Sequence, residues 1–277
     1  MASLTQPITE ATLAVLDVET TGLHAESGDR VVEIAVARSL GGQILETYET
    51  LVNPGRPIGA GAMRVNGITD AMVAGAPHFG HIADDVLKML HGAVMVGHNT
   101  AFDLSFLTSE LYIAGRALPG LLALDTLRLA RHYYPSGSYS LGTLAAAMNV
   151  HVQGRAHRAM ADVELTHGLL LRIVHDLWPR GVRTVQDYMR VQGGQLEFGA
   201  VEPDRLPEPI RQALAEGRML WIAYRAENGT ETRRMVRPLQ IIERPTGLYL
   251  DAYCELRQAR RTFRLDRIME MDVVVRF

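Results

Sequence analysis

The chain has 277 residues, 47% hydrophobic, 21% charged and 6% aromatic, enough to bury the core of one or two domains and too apolar for a disordered polymer. Its 28 basic residues against 31 acidic ones leave a formal net charge of −3, which argues weakly against a large sequence-independent surface for nucleic acid. A single cysteine, Cys254, excludes an internal disulfide and a thiolate zinc site, and with no apolar run near ~18–20 residues and no leader-like N-terminus the expectation is a cytoplasmic protein without membrane contact.

Residues 12–19 are an apolar run that ends in acidic residues and then Thr20-Thr21-Gly22, which reads as a buried strand entering a turn. Strands over 30–39 and 43–53 follow, joined by Gly41-Gly42, so the chain opens as an antiparallel meander. Helical spacing of apolar residues covers 79–91; Val94-Met95-Val96 is a short core strand; Ala101 to Gly115 returns to helix. Leu121–Leu124 reads as a strand, Asp125-Thr126 caps a helix over 127–133, and Ser140 caps another over 141–148. A long helix over 159–177 stops at Trp178-Pro179. Strands first, then strands alternating with helices, predict an α/β domain over 1–178 with a mixed sheet flanked by helices.

Regularity is lost over 179–206, which reads as a linker. Over 207–277, a short helix to Glu216 and five strand-like runs at 219–226, 233–242, 248–254, 261–265 and 271–276 predict a small β-barrel. Residues 201–277 carry 14 Arg against 12 acidic residues, so the small domain is net +2 and residues 1–200 are net −5. Lys88 is the only lysine, so every other basic residue is arginine, a planar phosphate-binding fork.

Asp17 and Glu19, two apart at a strand end, leave one face ~7 Å apart at ~3.3–3.4 Å per residue, and two such carboxylates invite a cation. His98-Asn99-x-x-Phe102-Asp103 follows the core strand and puts Asp103 in the first turn of the next helix. Asp162 lies early in the last helix; His157, five residues earlier, is off its face and reads as a loop residue free to approach a substrate. By contrast, His78, His81, Asp84, Asp85 and His91 occupy the polar face of the 79–91 helix and read as a solvated surface.

Asp17-Val-Glu19-Thr-Thr-Gly22, His98-Asn99-x-x-Phe102-Asp103 and His157-x-x-x-x-Asp162, in that order, resemble the three motifs of the DEDDh 3′→5′ exonucleases, a family that includes the epsilon proofreading subunit of bacterial replicative polymerases. Asn66-Gly67-Ile68-Thr69, Ala76-Pro77-x-Phe79 and Leu124-Asp125-Thr126-x-x-Leu-Ala-Arg131 support the resemblance, which covers residues 12–175. It implies a ribonuclease H-like fold, with Asp17, Glu19, Asp103 and Asp162 as ligands of two Mg²⁺ or Mn²⁺ ions and His157 as general base. All-oxygen ligation suits such hard ions, and a histidine suits proton transfer near neutral pH. Arg158 stands where the sister class carries its tyrosine base.

The resemblance further implies that Thr20, Gly22, Leu23, Asn66, His98, Asn99 and Phe102 hold the terminal nucleotide, with Leu23 wedged against a base. His98 reads rather as a hydrogen-bonded histidine that orients Asp103 or the loop, and Asn66 replaces a histidine common in the family. The C-terminal part, through Leu248-Tyr249-Leu250 and Arg261-Thr-Phe263-Arg264-Leu-Asp266-Arg267-Ile268, resembles a WYL domain, an SH3-like barrel with Leu248 in place of the namesake tryptophan. That implies binding of nucleic acid or a nucleotide through Tyr249, Arg261, Arg264 and Arg267; the alternative for Arg264 is an ion pair with Asp266 or Asp251.

The expected function is metal-dependent 3′→5′ hydrolysis of single-stranded DNA ends, or of RNA ends, to nucleoside 5′-monophosphates, in repair or proofreading, with a polymerase or repair protein as partner. An exoribonuclease, or a nucleic-acid-binding regulator with a silent nuclease domain, is the alternative.

Overall fold

β1 (Leu13–Thr20) is buried until its last residues, takes a central place in a six-stranded sheet, and delivers Asp17 and Glu19 at its C-terminal end. The structure is a computed structural model and describes residues 3–25, 28–116, 118, 120–152, 157–194, 196–198, 206–226, 229–244 and 247–274. β2 (Val31–Leu40) runs antiparallel to β1, and β3 (Gln43–Leu51) antiparallel to β2. The tight turn between them holds Gly41 and Gly42 at φ 58° and 82°, a conformation that favours glycine.

Three helices follow, α1 (Ala60–Asn66), α2 (Asp70–Val73) and α3 (Phe79–Leu90), before β4 (Val94–Gly97) enters parallel to β1 on its other side. α4 (Thr100–Ile113) leads to β5 (Leu121–Asp125), parallel to β4. α5 (Thr126–Tyr133), α6 (Leu141–Ala147), α7 (Ala159–Leu177), α8 (Val185–Val191) and β6 (Leu196–Phe198) complete the unit, with strand order β3-β2-β1-β4-β5-β6. Leu13, Val15, Ala35, Val94, Val96 and Leu124 pack on the layer of α5 to α8, through Leu129, Leu144, Leu170, Ile173 and Tyr188. Asp17 and Glu19 share the parity of Leu13 and Val15 and therefore face the α7 side. α3 packs on β2, and α4 on β1, β4 and β5. The expected mixed sheet with flanking helices is present.

The expected linker over 179–206 is corrected by the structure. Val185, Tyr188 and Met189 of α8 are buried in the core of the larger unit, Pro7 and Thr184 form an isolated bridge, and β6 is a strand of the sheet. The larger unit thus reaches Leu196, the first residue of β6; residues 195 and 199–205 of the expected linker lie outside the described residues.

The smaller unit holds α9 (Glu208–Glu216), β7 (Leu220–Arg225), β8 (Glu231–Arg244), β9 (Gly247–Cys254), β10 (Ala259–Arg264) and β11 (Ile268–Val273). They form an antiparallel sheet, β10-β9-β8-β7-β11, over a core of Ile210, Leu220, Ile222, Val236, Leu250, Cys254 and Phe263. β8 serves two partners: its first half pairs with β7 and its second with β9, and Val236 faces both Leu220 and Cys254. Among the described residues no pairing joins the edge strands β10 and β11, so the sheet is open there. No described helix is long and apolar enough to cross a membrane.

Candidate active site

β1 supplies the first two carboxylates, Asp17 and Glu19, both half-buried. Asp103, in the first turn of α4, is 3% exposed, and its Oδ1 accepts the Val18 N–H at 3.2 Å. The loop before it is fixed from β5: Asp125 Oδ1 accepts the N–H groups of Asn99 and Leu127, each at 3.0 Å, and the Thr100 hydroxyl donates to the Leu124 carbonyl at 2.9 Å. Asn99 caps α4 at φ 70°, a left-handed conformation that asparagine tolerates, and leaves its side chain exposed.

Asp162 lies in the first turn of α7, half-buried, and His157 is exposed at φ 60°. The ligand atoms of Glu19, His157 and Asp162 lie within 4.8 Å of one another, and no other such His/carboxylate group occurs among the described residues. His78, His81, Asp84, Asp85 and His91 form no such group: the His78 ring contacts the Asn53 carbonyl at 3.0 Å, and Asp84 receives Arg116 at 2.7 Å.

The charges crowd. Burial raises Asp17 well above the ordinary carboxylate range, and Asp103, Asp162, Glu19 and Glu33 add to it. Burial, with Asp162 and Glu33, pushes Glu19 up to about 7, against the opposing hydrogen bond from Asn66 and the charge of Arg158. Asp103 is raised by burial against the Val18 N–H, and Asp162 by burial against His157. Carboxylates gathered in this way are short of positive charge, and an all-oxygen set beside one imidazole is the donor chemistry of hard divalent cations. The residues therefore fit such ions.

Several residues hold the site together that the sequence reading passed over. Glu33 of β2, 1% exposed, faces Glu19 in the strand register; it accepts the Arg158 guanidinium and, at 3.0 Å, the Ala159 N–H that opens α7. Glu110 of α4 repeats the device with Arg30 at 2.8 Å and the Val31 N–H at 3.0 Å. Asp29 accepts the Thr21 hydroxyl at 3.0 Å and the His24 N–H at 3.1 Å, and its carboxylate stands 2.2 Å from where a Cβ on Gly22 would lie. A side chain at 22 would thus have to displace the Asp29 carboxylate from its hydrogen bonds.

Of the other residues named from the sequence, the Thr20 hydroxyl donates to the Gly22 carbonyl at 2.5 Å, and Leu23 is 73% exposed beside it. Asn66 is buried; its amide donates to the Thr20 carbonyl at 3.3 Å and to Glu19, and its oxygen accepts the Ile68 N–H at 3.0 Å. It braces a carboxylate, and its polar atoms face the protein. His98 is engaged at both nitrogens, by the Thr126 hydroxyl and the Tyr139 carbonyl, each at 2.9 Å, and burial holds it below its ordinary pKa. It fastens the loop. Phe102 is half-buried, 4.9 Å from the Phe106 ring.

In the smaller unit, Tyr249 and Arg264 are cross-strand partners, and Arg264 makes a forked pair with Asp266 at 2.9 and 2.6 Å. Arg261 shares the parity of the buried Phe263, so it does not share a face with Arg264; Arg267 lies in the short 3₁₀ turn Leu265–Arg267. Asp251 pairs with Arg260, a partner the sequence reading did not choose.

Comparison with known proteins agrees with this arrangement. The RNase_T exonuclease family model matches residues 14–170 and the WYL domain model residues 205–273. The chain is 37% identical over 182 residues to a DNA polymerase III subunit epsilon-like protein of Rhodobacter capsulatus, an alignment over 64% of this chain and 26% of that protein. It is 37% identical over 164 residues to the 3′-5′ exonuclease DinG of Bacillus subtilis, over 59% of this chain and 18% of that protein. The chain thus spans about a quarter or less of these relatives. Exonuclease X, solved with 5′ overhanging duplex DNA, superposes with a TM-score of 0.53 at 30% identity over 65% of this chain and 99% of that one. E. coli Exonuclease I, solved with a dA16 oligonucleotide, shares the fold at a TM-score of 0.56 and 20% identity, over 88% of this chain and 55% of that one. With these matches on the geometry above, the chain belongs to the RNase_T exonuclease family, and its exonuclease domain is followed by a WYL domain.

Proposed function

We propose that the protein is a 3′→5′ exonuclease that removes nucleotides from single-stranded DNA ends, with RNA as a poorer substrate, and releases nucleoside 5′-monophosphates. The observation that carries this reading is the convergence of Glu19, His157 and Asp162 within 4.8 Å, beside Asp17 and Asp103. Asp17, Glu19, Asp103 and Asp162 would hold two Mg²⁺ or Mn²⁺ ions, which when bound stabilise the negative charge of an in-line phosphoryl displacement. The chain's own residues do the rest. A ring nitrogen of the exposed His157 takes a proton from the attacking water, and the Asp162 carboxylate stands within 4.8 Å of that ring. Leu23 and Phe102 offer apolar contact that is indifferent to base identity, which suits trimming of any sequence.

The C-terminal unit serves as a nucleic-acid- or ligand-binding module. The switch of β8 from β7 to β9 as partner, with a register shift between Pro238 and Gln240, supports an SH3-like arrangement for this unit as part of the same proposal. A role beside a DNA polymerase, in proofreading or repair and in the cytoplasm, belongs to this proposal; the likeness to a protein named as a polymerase III subunit epsilon-like protein supports its polymerase part.

The test is release of mononucleotides from 3′- and 5′-labelled DNA and RNA strands with Mg²⁺, Mn²⁺ or EDTA. The expected result is stepwise loss from the 3′ end, abolished by EDTA. Activity insensitive to EDTA, or loss from the 5′ end, overturns the reading.

A further inference from the structure

Residues 126–161 contain neither Asp nor Glu, although 31 of the 277 residues are acidic. This segment runs from the end of β5 to the start of α7 and supplies α5 with Arg128, Arg131 and Tyr133, then Tyr134 and Tyr139 in the loop behind it. In a domain of net negative charge, this segment itself brings no carboxylate to the flank it forms; the acidic groups nearby, Asp176 and Asp187, come from α7 and α8, and Asp176 is engaged by Arg172 and the Tyr134 hydroxyl.

Three guanidinium groups on that side lie over aromatic rings: Arg131 over Tyr139 at 5.8 Å, Arg180 over Tyr133 at 5.6 Å and Arg183 over Trp178 at 5.5 Å. The arginines are exposed and the rings half-buried. None of the three has a carboxylate partner among the described residues, whereas Arg30, Arg56, Arg116, Arg158 and Arg172 of the same unit each have one. A guanidinium that rests on a ring and lacks a counter-ion keeps its donors free for phosphate, and the ring beside it offers a surface for a base.

The three pairs are connected to one another and to the site. His98, one residue before Asn99, contacts the Tyr139 carbonyl, and the Tyr139 hydroxyl donates to the Tyr134 carbonyl at 2.9 Å. The Tyr134 hydroxyl donates to Asp176 at 2.8 Å, near the end of α7. Tyr133, under Arg180, is the next residue back, and Trp178 follows α7 directly. Trp178 lies 16 residues after Asp162, which at ~1.5 Å per residue is ~24 Å from the catalytic carboxylate. At ~3.4 Å per stacked nucleotide, that length accommodates about seven nucleotides.

We propose that Arg131–Tyr139, Tyr133–Arg180 and Trp178–Arg183 form an accessory track for single-stranded nucleic acid, which holds the strand behind the 3′ end. The track deepens the exonuclease reading and rests on it for the direction of the strand; its affinity for a strand is measurable without catalysis.

The experiment compares the full chain with its R131Q/R180Q/R183Q and R131K/R180K/R183K variants. Fluorescence anisotropy of a labelled oligonucleotide of about 20 nucleotides is followed in EDTA across a salt series, and turnover of that oligonucleotide and of a dinucleotide is followed with Mg²⁺. For the glutamine variant the expected result is about tenfold weaker binding and a slope of log K against log salt reduced by about 2, from three contacts at ~0.7 each. Dinucleotide turnover should be unchanged, which also reports an intact fold. The lysine variant should recover the slope. Unchanged affinity and slope in the glutamine variant overturn the track, and so does an equal loss on the dinucleotide, which would place the effect in the catalytic site. If the unsubstituted chain hydrolyses neither substrate, the exonuclease reading fails while anisotropy still decides the track.

Discussion

Glu33 and Ala159, 126 residues apart in sequence, are joined by a 3.0 Å hydrogen bond from the first N–H of α7 to a carboxylate that also grips Arg158. One buried side chain thus satisfies an orphan helix donor and fixes the two residues that follow His157. Glu33→Gln keeps the shape and loses the charge. Because Arg158 is 35% exposed and can turn to water, the expected loss of stability is about 2 kcal/mol, below the ~3–5 of a fully enclosed pair. The expected kinetic effect is larger: kcat falls about 10- to 100-fold with KM nearly constant, because His157 loses its placement. Additive effects of Glu33→Gln and Arg158→Met in the double variant would show that the two residues act independently.

Gly22 and Asp29 make a second steric prediction. A Cβ at 22 would meet the Asp29 carboxylate at 2.2 to 2.7 Å and expel it from Thr21 and His24. Gly22→Ala should reduce kcat about 10- to 100-fold, since Thr20 to Leu23 directly follow Glu19, a proposed metal ligand. Removing the obstacle in Gly22→Ala/Asp29→Ala should restore part of that loss. Full activity of the single variant is the contrary result.

Asn66 donates to Glu19 and thereby favours its ionised form. Asn66→Ala removes a hydrogen bond to a charged group, worth ~1.5–3 kcal/mol, so Glu19 holds its proton more tightly. The Mg²⁺ concentration for half-maximal activity should rise about tenfold at about pH 7 and approach that of the unsubstituted protein at about pH 9. A metal requirement unchanged at both pH values would deny the brace.

The strands that position the site were legible because their signal is local. Residues 12–19 and 94–96 are apolar runs closed by polar residues, and the structure places β1 and β4 there. α1 was not legible: in Ala-Gly-Ala-Met-Arg-Val-Asn only Asn66 is buried, so no apolar stripe exists to read. α8 left a trace that the loss of regularity after Trp178 hid, namely the capping box of Thr184 and Asp187 ahead of the buried Val185, Tyr188 and Met189. The carboxylates proposed to hold the cations came from their motifs, while their supports did not, because Glu33 and Glu110 meet arginines 125 and 80 residues away. The available hint was Glu33 itself, a charged residue inside the apolar run Val31–Ala37.

The raised carboxylates predict how stability depends on pH. Glu19 is held at about 7 in the folded state, against a model-peptide value of ~4.3, so between these values the folded protein binds more protons than the unfolded chain. In EDTA, stability should therefore fall as pH rises from about 5 to 8, by on the order of 3 kcal/mol from Glu19 alone, with Asp17, Asp103 and Asp162 acting in the same direction. Divalent cations bind the ionised form, so millimolar Mg²⁺ should raise Tm more at about pH 8 than at about pH 5.5. Thermal melts across pH with EDTA and with Mg²⁺ read both effects. A metal-free Tm that rises with pH through this window would contradict the crowding of charge at the site.

Asp103→Asn separates charge from architecture. The Asp103 Oδ1 accepts the Val18 N–H at 3.2 Å, and asparagine retains an oxygen there, so the end of β1 keeps its partner. The substitution removes one negative charge from the cation-binding set, which also lowers the repulsion felt by Asp17. Hydrolysis should fall by about three orders of magnitude, as expected when several kcal/mol of metal-assisted charge stabilisation are lost. Binding of a single strand in EDTA should be equal or tighter, because a carboxylate that opposed the phosphate is gone. His157→Gln should instead lower kcat by ~10²–10⁴ while leaving the Mg²⁺ requirement unchanged, since a lost base does not remove a ligand. The two variants thus dissociate metal binding from proton transfer, and unchanged turnover in Asp103→Asn would remove Asp103 from the ligand set.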